Sequence, residues 1–337
     1  MRYGARNTRL LRCSTCKGRF SERKAPPFDA RLPTDRALAV LAHVAEGIGT
    51  RKTARLTGVH PDTVTQYIRV AGPHAEQLHD ELVAFPPRTN EVPFDEKWSF
   101  VGQKAKNCDP EDTRHGDCWD HTAVNPESRL VVRLVVGQRT AESASAVVND
   151  FRERTGGRVP RLITSDELPA YPEAIRAAYG TTMTPPPTGR PGRPRGPQAV
   201  VPPEVTYATV HKERDGGQVV SVITRVVFGT MAAVILALAA STVSRVINTS
   251  FIERHNGTDR NRCSRKVRKT YAFSKDWDLH RAATLVSHYR YNFCWPVRTL
   301  RVRGEDGRWQ QRTPAMAASL TDNVWTIAEW MTYLNHV

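Results

Sequence analysis

The spacing of apolar positions divides the chain into a helical front and a strand-rich middle. Leu38, Leu41, Ala45 and Ile48 recur at helical intervals. In GTRKTARLTGVHPDTVTQYIRV the same logic gives a short helix from Thr50, a turn at Gly58 and a helix opening at Pro61 with Val64, Tyr67 and Ile68 facing inward. Another helix from residue 73 leads to FPPRTN. From Glu91 the period shortens to strand alternation: a strand to Gly102, another from Cys118 to Val124, a turn at NPESR, and a third from Leu130 to Val136. A helix from Thr140 to Arg154, a strand over Leu162 to Thr164 and a helix through Ala178 complete a mixed α/β pattern.

Beyond it, TPPPTGRPGRPRGPQAVVPPE is too rich in proline and glycine for regular structure. Its GRPGRPRGP core is similar to an AT-hook, although a solvated linker carrying Arg190, Arg193 and Arg195 is the simpler reading. TYATVHKERDGGQVVSVITRVVF then reads as a hairpin turning at DGG, followed by an alanine-rich helix. No charge falls between Val226 and Ser244, yet the purely apolar run is confined to Met231 to Ala240, which fits a buried helix rather than a membrane span. The tail has a helix start at Pro314, with Leu320, Val324, Ile327 and Met331 at helical spacing.

Charge narrows the partner class. Lys and Arg outnumber Asp and Glu by 49 to 34, a formal +15 that favours polyanions and gives salt-dependent affinity for DNA. Positions Asp62, Thr65, Gln66 and Arg69 are left to face a major groove, with Arg51, Lys52 and Arg55 near phosphates. A second basic run, Arg254, Arg260, Arg262, Arg265, Lys266, Arg268 and Lys269, precedes the aromatic Tyr271, Phe273 and Trp277 and predicts a DNA grip. MRYGARNTRLLRC lacks an apolar stretch, so no secretory signal is expected and the protein is placed in the cytoplasm, at the nucleoid. Six scattered cysteines argue against a disulfide framework.

Three acids stand out. Asp95 and Asp166 each close a β-rich run, where aspartate is disfavoured, and Glu253 opens a polar helix crowded with arginine. Carboxylates from three segments suit Mg²⁺ (or Mn²⁺), and two such ions about 3.5–4 Å apart could clamp both oxygens of a phosphodiester displacement. Glu96, Asp109, Asp120 and Glu167 read as surface or supporting groups.

At these residues the chain resembles the DDE transposases of bacterial insertion sequences, most closely the family named for insertion sequence one. The matching words are FDEKWSFVG, ITSDELPAYPEAI, and IERHNGTDRNR followed by KTYAFSKDWDLHRA, over most of residues 91 to 300. The resemblance implies an RNase H-like mixed sheet flanked by helices, with Asp95 on a central strand, Asp166 at the end of a neighbour and Glu253 on a later helix. The expected organisation is a partial zinc-ribbon-like basic arm (1–34), a helix-turn-helix (35–72), a helix and linker (73–90), the catalytic domain (91–300) with an inserted subdomain at about 184–245, and a tail helix (301–337). Cys13 and Cys16 in CSTCKGRF resemble half of a zinc ribbon, with Cys108, His115 and Cys118 the alternative source of further ligands.

The expected activity is Mg²⁺-dependent DNA cleavage and strand transfer at element ends. The partners are double-stranded DNA, as transposon ends and target, and further copies of the chain in a dimer or larger assembly. Neither a membrane nor a small-molecule substrate is expected. The alternatives are a degenerate, non-catalytic DNA-binding relative and an RNase H-like nuclease that does not join ends.

Overall fold

A computed structural model describes residues 32–84, 89–184 and 196–333, with short segments between residues 2 and 21. Arg2–Tyr3, Thr8–Arg12 and Arg19–Ser21 form a small antiparallel sheet. Cys13 and Cys16, and the arginines at 190, 193 and 195, lie outside the described residues.

Three helices open the described body: α1 (Thr34–Ala45), α2 (Thr50–Thr57) and α3 (Pro61–Leu82). The buried face of α1 is Ala37, Val40, Leu41, Val44 and Ala45, which keeps the predicted Leu41 and Ala45 but leaves Leu38 only partly covered. Gly58, at φ +64°, ends α2 in the left-handed conformation that glycine adopts without strain. His60 caps α3 by accepting from the Asp62 amide at 3.3 Å.

The break expected at residue 73 is absent, because α3 runs straight through Pro73. Packing overrides the lost hydrogen bond. Val64, Ile68, Ala71, Ala75 and Leu78 form one buried stripe across the proline, laid on α8 (Trp277–Cys294). At the crossing a Cβ on Gly72 would lie 2.5 Å from the Ala282 Cα, so only glycine permits the approach. Further along, His79 stacks on Tyr289 at 3.7 Å.

The central sheet has six strands: β1 (Glu91–Val101), β2 (Gly116–Val124), β3 (Val131–Gly137), β4 (Leu162–Ser165), β5 (Tyr207–Asp215) and β6 (Gln218–Phe228). Their spatial order is β6-β5-β4-β1-β2-β3. β1, β2 and β3 form an antiparallel meander, whereas β4 is parallel to both β1 and β5. This mixed sheet, flanked by helices, is compatible with the RNase H-like expectation. Residues 207–228 are not a separate subdomain, since β5 pairs with β4 through Tyr207, Ala208 and Thr209 and extends the sheet itself.

Because side chains alternate across a strand, β1 divides its residues between two helical layers. Phe94 meets Phe151 of α4 (Ala141–Arg154) and Tyr171 of α5 (Ala170–Tyr179). Asp95, Lys97 and Ser99 turn to the other face, against α7 (Ser250–Arg262) and α8. The apolar run forms α6 (Met231–Ala239), and no helix among the described residues is long and apolar enough to cross a membrane.

The tail is not one helix. Two short strands, Val302–Arg303 and Trp309–Gln310, precede helix Pro314–Ala317, which stops before Ser319 at φ +58°. A capping box between Thr326 and Glu329 then starts a new helix, Ile327–Thr332, which buries Trp330 and Met331 in the core.

Candidate active site

Asp95 lies inside the strand expected from Glu91 to Gly102. β1 continues six residues past it, so its carboxylate is held mid-strand by a rigid element. Oδ1 accepts from the Glu96 amide at 2.9 Å and Oδ2 from Asn256 Nδ2 of α7 at 2.7 Å. Asp166 follows β4 directly, and its Oδ1 accepts from the Leu168 amide at 3.0 Å. Glu253 lies in the first turn of α7, where the helix dipole favours a negative charge. Lys212 of β5 and Thr249 both donate to its Oε1, the latter at 2.5 Å. All three acids line one open cleft of about 690 Å³.

A fourth acid belongs with them. Glu96 is 8% exposed; Arg139 donates to its Oε1 at 2.6 and 2.9 Å, and the Tyr171 hydroxyl to its Oε2 at 3.2 Å. Arg139 also reaches Asp166 at 3.5 Å. Asp95, Glu96 and Asp166 each offer an oxygen within 4.8 Å of the others. The signal in the sequence was DEK in the middle of a long strand: three consecutive charged residues on a central strand cannot all reach water.

Crowding like charges in a covered place has an electrostatic consequence. Burial first, then Glu96 and Asp166, push the Asp95 carboxyl up to about 8. Burial and Asp166 likewise raise Glu96, and burial raises Asp166. One guanidinium therefore leaves this group short of positive charge. Hard oxygen donors at that spacing fit Mg²⁺ or Mn²⁺.

The cleft wall is cationic: Arg139, Lys212, Arg214, Arg260 and Arg268 all line it. Of the predicted basic grip, Arg254, Arg268 and Lys269 are exposed and Arg260 is half-buried at the cleft. Two others are corrected. Arg265 is buried, donating to Ser274 and Thr50 Oγ1, and Lys266 is buried between Asp120 and Asp259; the 3-10 turn after α7 rotates both inward, away from any DNA. Arg262 is spent on the Trp295 ring.

At the front of the molecule Arg51, Lys52, Arg55 and Gln66 are exposed and Thr65 is partly covered, its hydroxyl donating to the Pro61 carbonyl at 3.1 Å. Arg69 is exposed but pairs with Asp276 at 3.3 Å. Of the alternative metal ligands, Cys118 is buried in β2 and His115 pairs with Asp112 at 2.6 Å, while Cys13 and Cys16, which they would join, lie outside the described residues.

Asp120, read from sequence as surface or supporting, is fully buried on β2. With Asp259 and His288 it forms a second group whose donor atoms lie within 4.8 Å of one another. Here the demand for cations is already met. Lys97 lies 3.0 Å from Asp120 Oδ2 and donates to Asp259, while Lys266 lies 2.7 and 3.1 Å from the same two acids. Burial opposes an ionised Asp120, but Lys266 and then Lys97 outweigh it and hold the carboxyl well below its usual range.

No family model matches the chain, and none of the curated proteins matches it. Among solved structures it is similar to one titled as the crystal structure of the Mos1 strand transfer complex, at 13% identity and a TM-score of 0.18, covering 44% of this chain and 57% of that one. It is similar as well to the Mos1 transposase paired-end complex with left transposon end, at 13% identity and TM-score 0.18, covering 44% and 59%. The chain thus spans under two thirds of either neighbour, and likeness at this level identifies no family.

Proposed function

We propose that this chain is a DDE transposase that binds the ends of an insertion sequence and cuts and joins DNA with divalent metal at Asp95, Asp166 and Glu253. One observation carries the reading. Acids from a central strand, its parallel neighbour and a late helix line a single cleft whose wall also carries Arg139, Lys212, Arg214, Arg260 and Arg268.

Asp95 and Asp166 would hold Mg²⁺ or Mn²⁺, with Glu96 beside them and Glu253 completing the set. When bound, the ions supply charge for the phosphodiester displacement and an activated nucleophile. The chain's own groups do the rest. β1 and β4 fix two carboxylates, Asn256 orients Asp95 through its 2.7 Å hydrogen bond, and Arg260 and Arg268 offer donors to backbone phosphates across the cleft. Exposed Arg51, Lys52, Arg55 and Gln66 on α2 and α3 would dock as the end-reading module. Handling two ends together calls for at least two copies of the chain.

The test is a Mg²⁺-dependent cleavage and strand-transfer assay on duplexes carrying the repeats that flank the gene. Asp95→Asn and Asp166→Asn should each lower the rate about 10³-fold or more, the kinetic equivalent of several kcal/mol, with duplex binding kept. Unchanged rates in both variants would remove the cleft from the chemistry. Cleavage without joined product would point instead to a nuclease.

A further inference from the structure

Helix-on-sheet contacts are ordinarily apolar, yet the sheet under α7 is charged. Along β1 three successive positions on that face, Asp95, Lys97 and Ser99, each meet a polar helix side chain. Asp95 accepts from Asn256, Lys97 donates to Asp259, and Ser99 Oγ lies 3.2 Å from His280 Nε2. The register continues the pattern onto β2, where Lys97 faces Asp120.

At the centre lie two ammonium groups, Lys97 and Lys266, and two carboxylates, Asp120 and Asp259, all at most 4% exposed. The four charges balance. His288 Nε2 closes one side at 3.3 Å from Asp259, and its Nδ1 lies 3.1 Å from His255 Nε2. Ser287 donates to the other oxygen of Asp259 at 3.0 Å.

A buried ion cluster is commonly no more stable than well-packed apolar residues of the same volume, so stability alone does not call for one here. What apolar packing lacks is a unique register. A smooth contact tolerates small rotations and slides of a helix, whereas a balanced set of four charges has one arrangement that leaves none unpaired. The helix so fixed is the one carrying the cleft's late residues: Asn256 lies one turn before Asp259, and Glu253 nearly two.

We propose that Lys97, Asp120, Asp259 and Lys266 are positioning residues of the cleft. They set the height and rotation of α7 on β1, and through it the Asn256 contact to Asp95 and the place of Glu253. The quartet stands where a metal ion would otherwise be inferred, and its two lysines take the part of that ion. The proposal rests on the metal-binding reading of the cleft.

The experiment uses the full chain and Mn²⁺ as probe, measuring free Mn²⁺ by electron paramagnetic resonance below the unfolding range of every variant. Lys97→Met and Asp259→Asn should each weaken Mn²⁺ binding about tenfold, the range seen when groups that orient metal ligands are lost. The charge-balanced double variant should be no worse than either single one, and it carries the test if a single variant fails to fold. Binding of a duplex, followed by anisotropy, should stay within twofold.

Asp95→Asn is the control for the site itself. If it binds Mn²⁺ like the wild type, the metal reading fails. If it loses Mn²⁺ while all three quartet variants bind within twofold of wild type, the cleft stands and the positioning role is overturned. A Mn²⁺ that is still bound in Asp95→Asn but disappears in Asp120→Asn would also overturn it, by showing the quartet to be a metal site.

Discussion

Two acidic groups lie against neighbouring strands of one sheet and differ in burial and, more tellingly, in charge balance. Around Asp120 and Asp259, two lysine ammonium groups match the two carboxylates. Around Asp95, Glu96 and Asp166 one guanidinium, from Arg139, serves the cluster, and the Asp95 carboxyl is driven up to about 8. Residue types alone would have called both metal sites. Charge balance separates them: one group has its carboxylates matched by ammonium groups, and the other, proposed above as the metal site, does not.

The largest effect that sharpens this contrast is on stability. Removing one partner from a closed cluster strands a buried charge, so Lys266→Met should cost about 3–5 kcal/mol or abolish soluble expression. Asp166→Asn, which relieves an open cluster, should leave the urea midpoint of the metal-free protein unchanged or raised. Equal losses in the two variants would erase the distinction.

A smaller effect follows from adding metal. A ligand that binds only the folded state at a hundred times its Kd stabilises by about 2.7 kcal/mol. Mn²⁺ should therefore raise the melting temperature of the wild type by several degrees and leave Asp166→Asn unmoved. A shift that survives in Asp166→Asn would place the ion elsewhere.

How much of this contrast was visible in the sequence depends on the distance over which each residue is explained. Asp95, Asp166 and Glu253 were legible because each breaks a local rule: two acids at β-rich runs and a third among helical arginines. The strand order of the meander was legible too, since β1 to β3 follow one another in the chain. The quartet was not. Lys97 finds Asp259 across 162 positions and Lys266 finds Asp120 across 146, so nothing nearby marks any of them as buried. In the same way Arg265 and Lys266 read as part of a basic run until the turn after α7 rotates them inward. Pro73 read as a break because the α8 surface that carries α3 past it lies some two hundred residues away, at Ala282.

The smallest effect concerns what an open cluster costs while no metal is present, and its sign can be worked out. In the unfolded chain Asp95 releases its proton near 3.8, but in the folded protein only near 8. Between those values the folded state binds more protons than the unfolded one, so stability from this group falls as pH rises from about 4 to 8 and is level above. Asparagine does not titrate. With chelator present, Asp95→Asn should therefore match the wild type near pH 4 and exceed it by about 1–3 kcal/mol at pH 9, the scale of an uncompensated buried polar group. Titrating groups remote from the cluster cancel in the difference between the two proteins, whereas Glu96 and Asp166, coupled to Asp95, add to it in part. Urea midpoints at the two pH values measure it, and a gain independent of pH would mean that Asp95 carries no such burden. Adding Mn²⁺ at pH 9 should reverse the order, because the carboxylate that weakens the metal-free cleft is the one proposed to bind the ion.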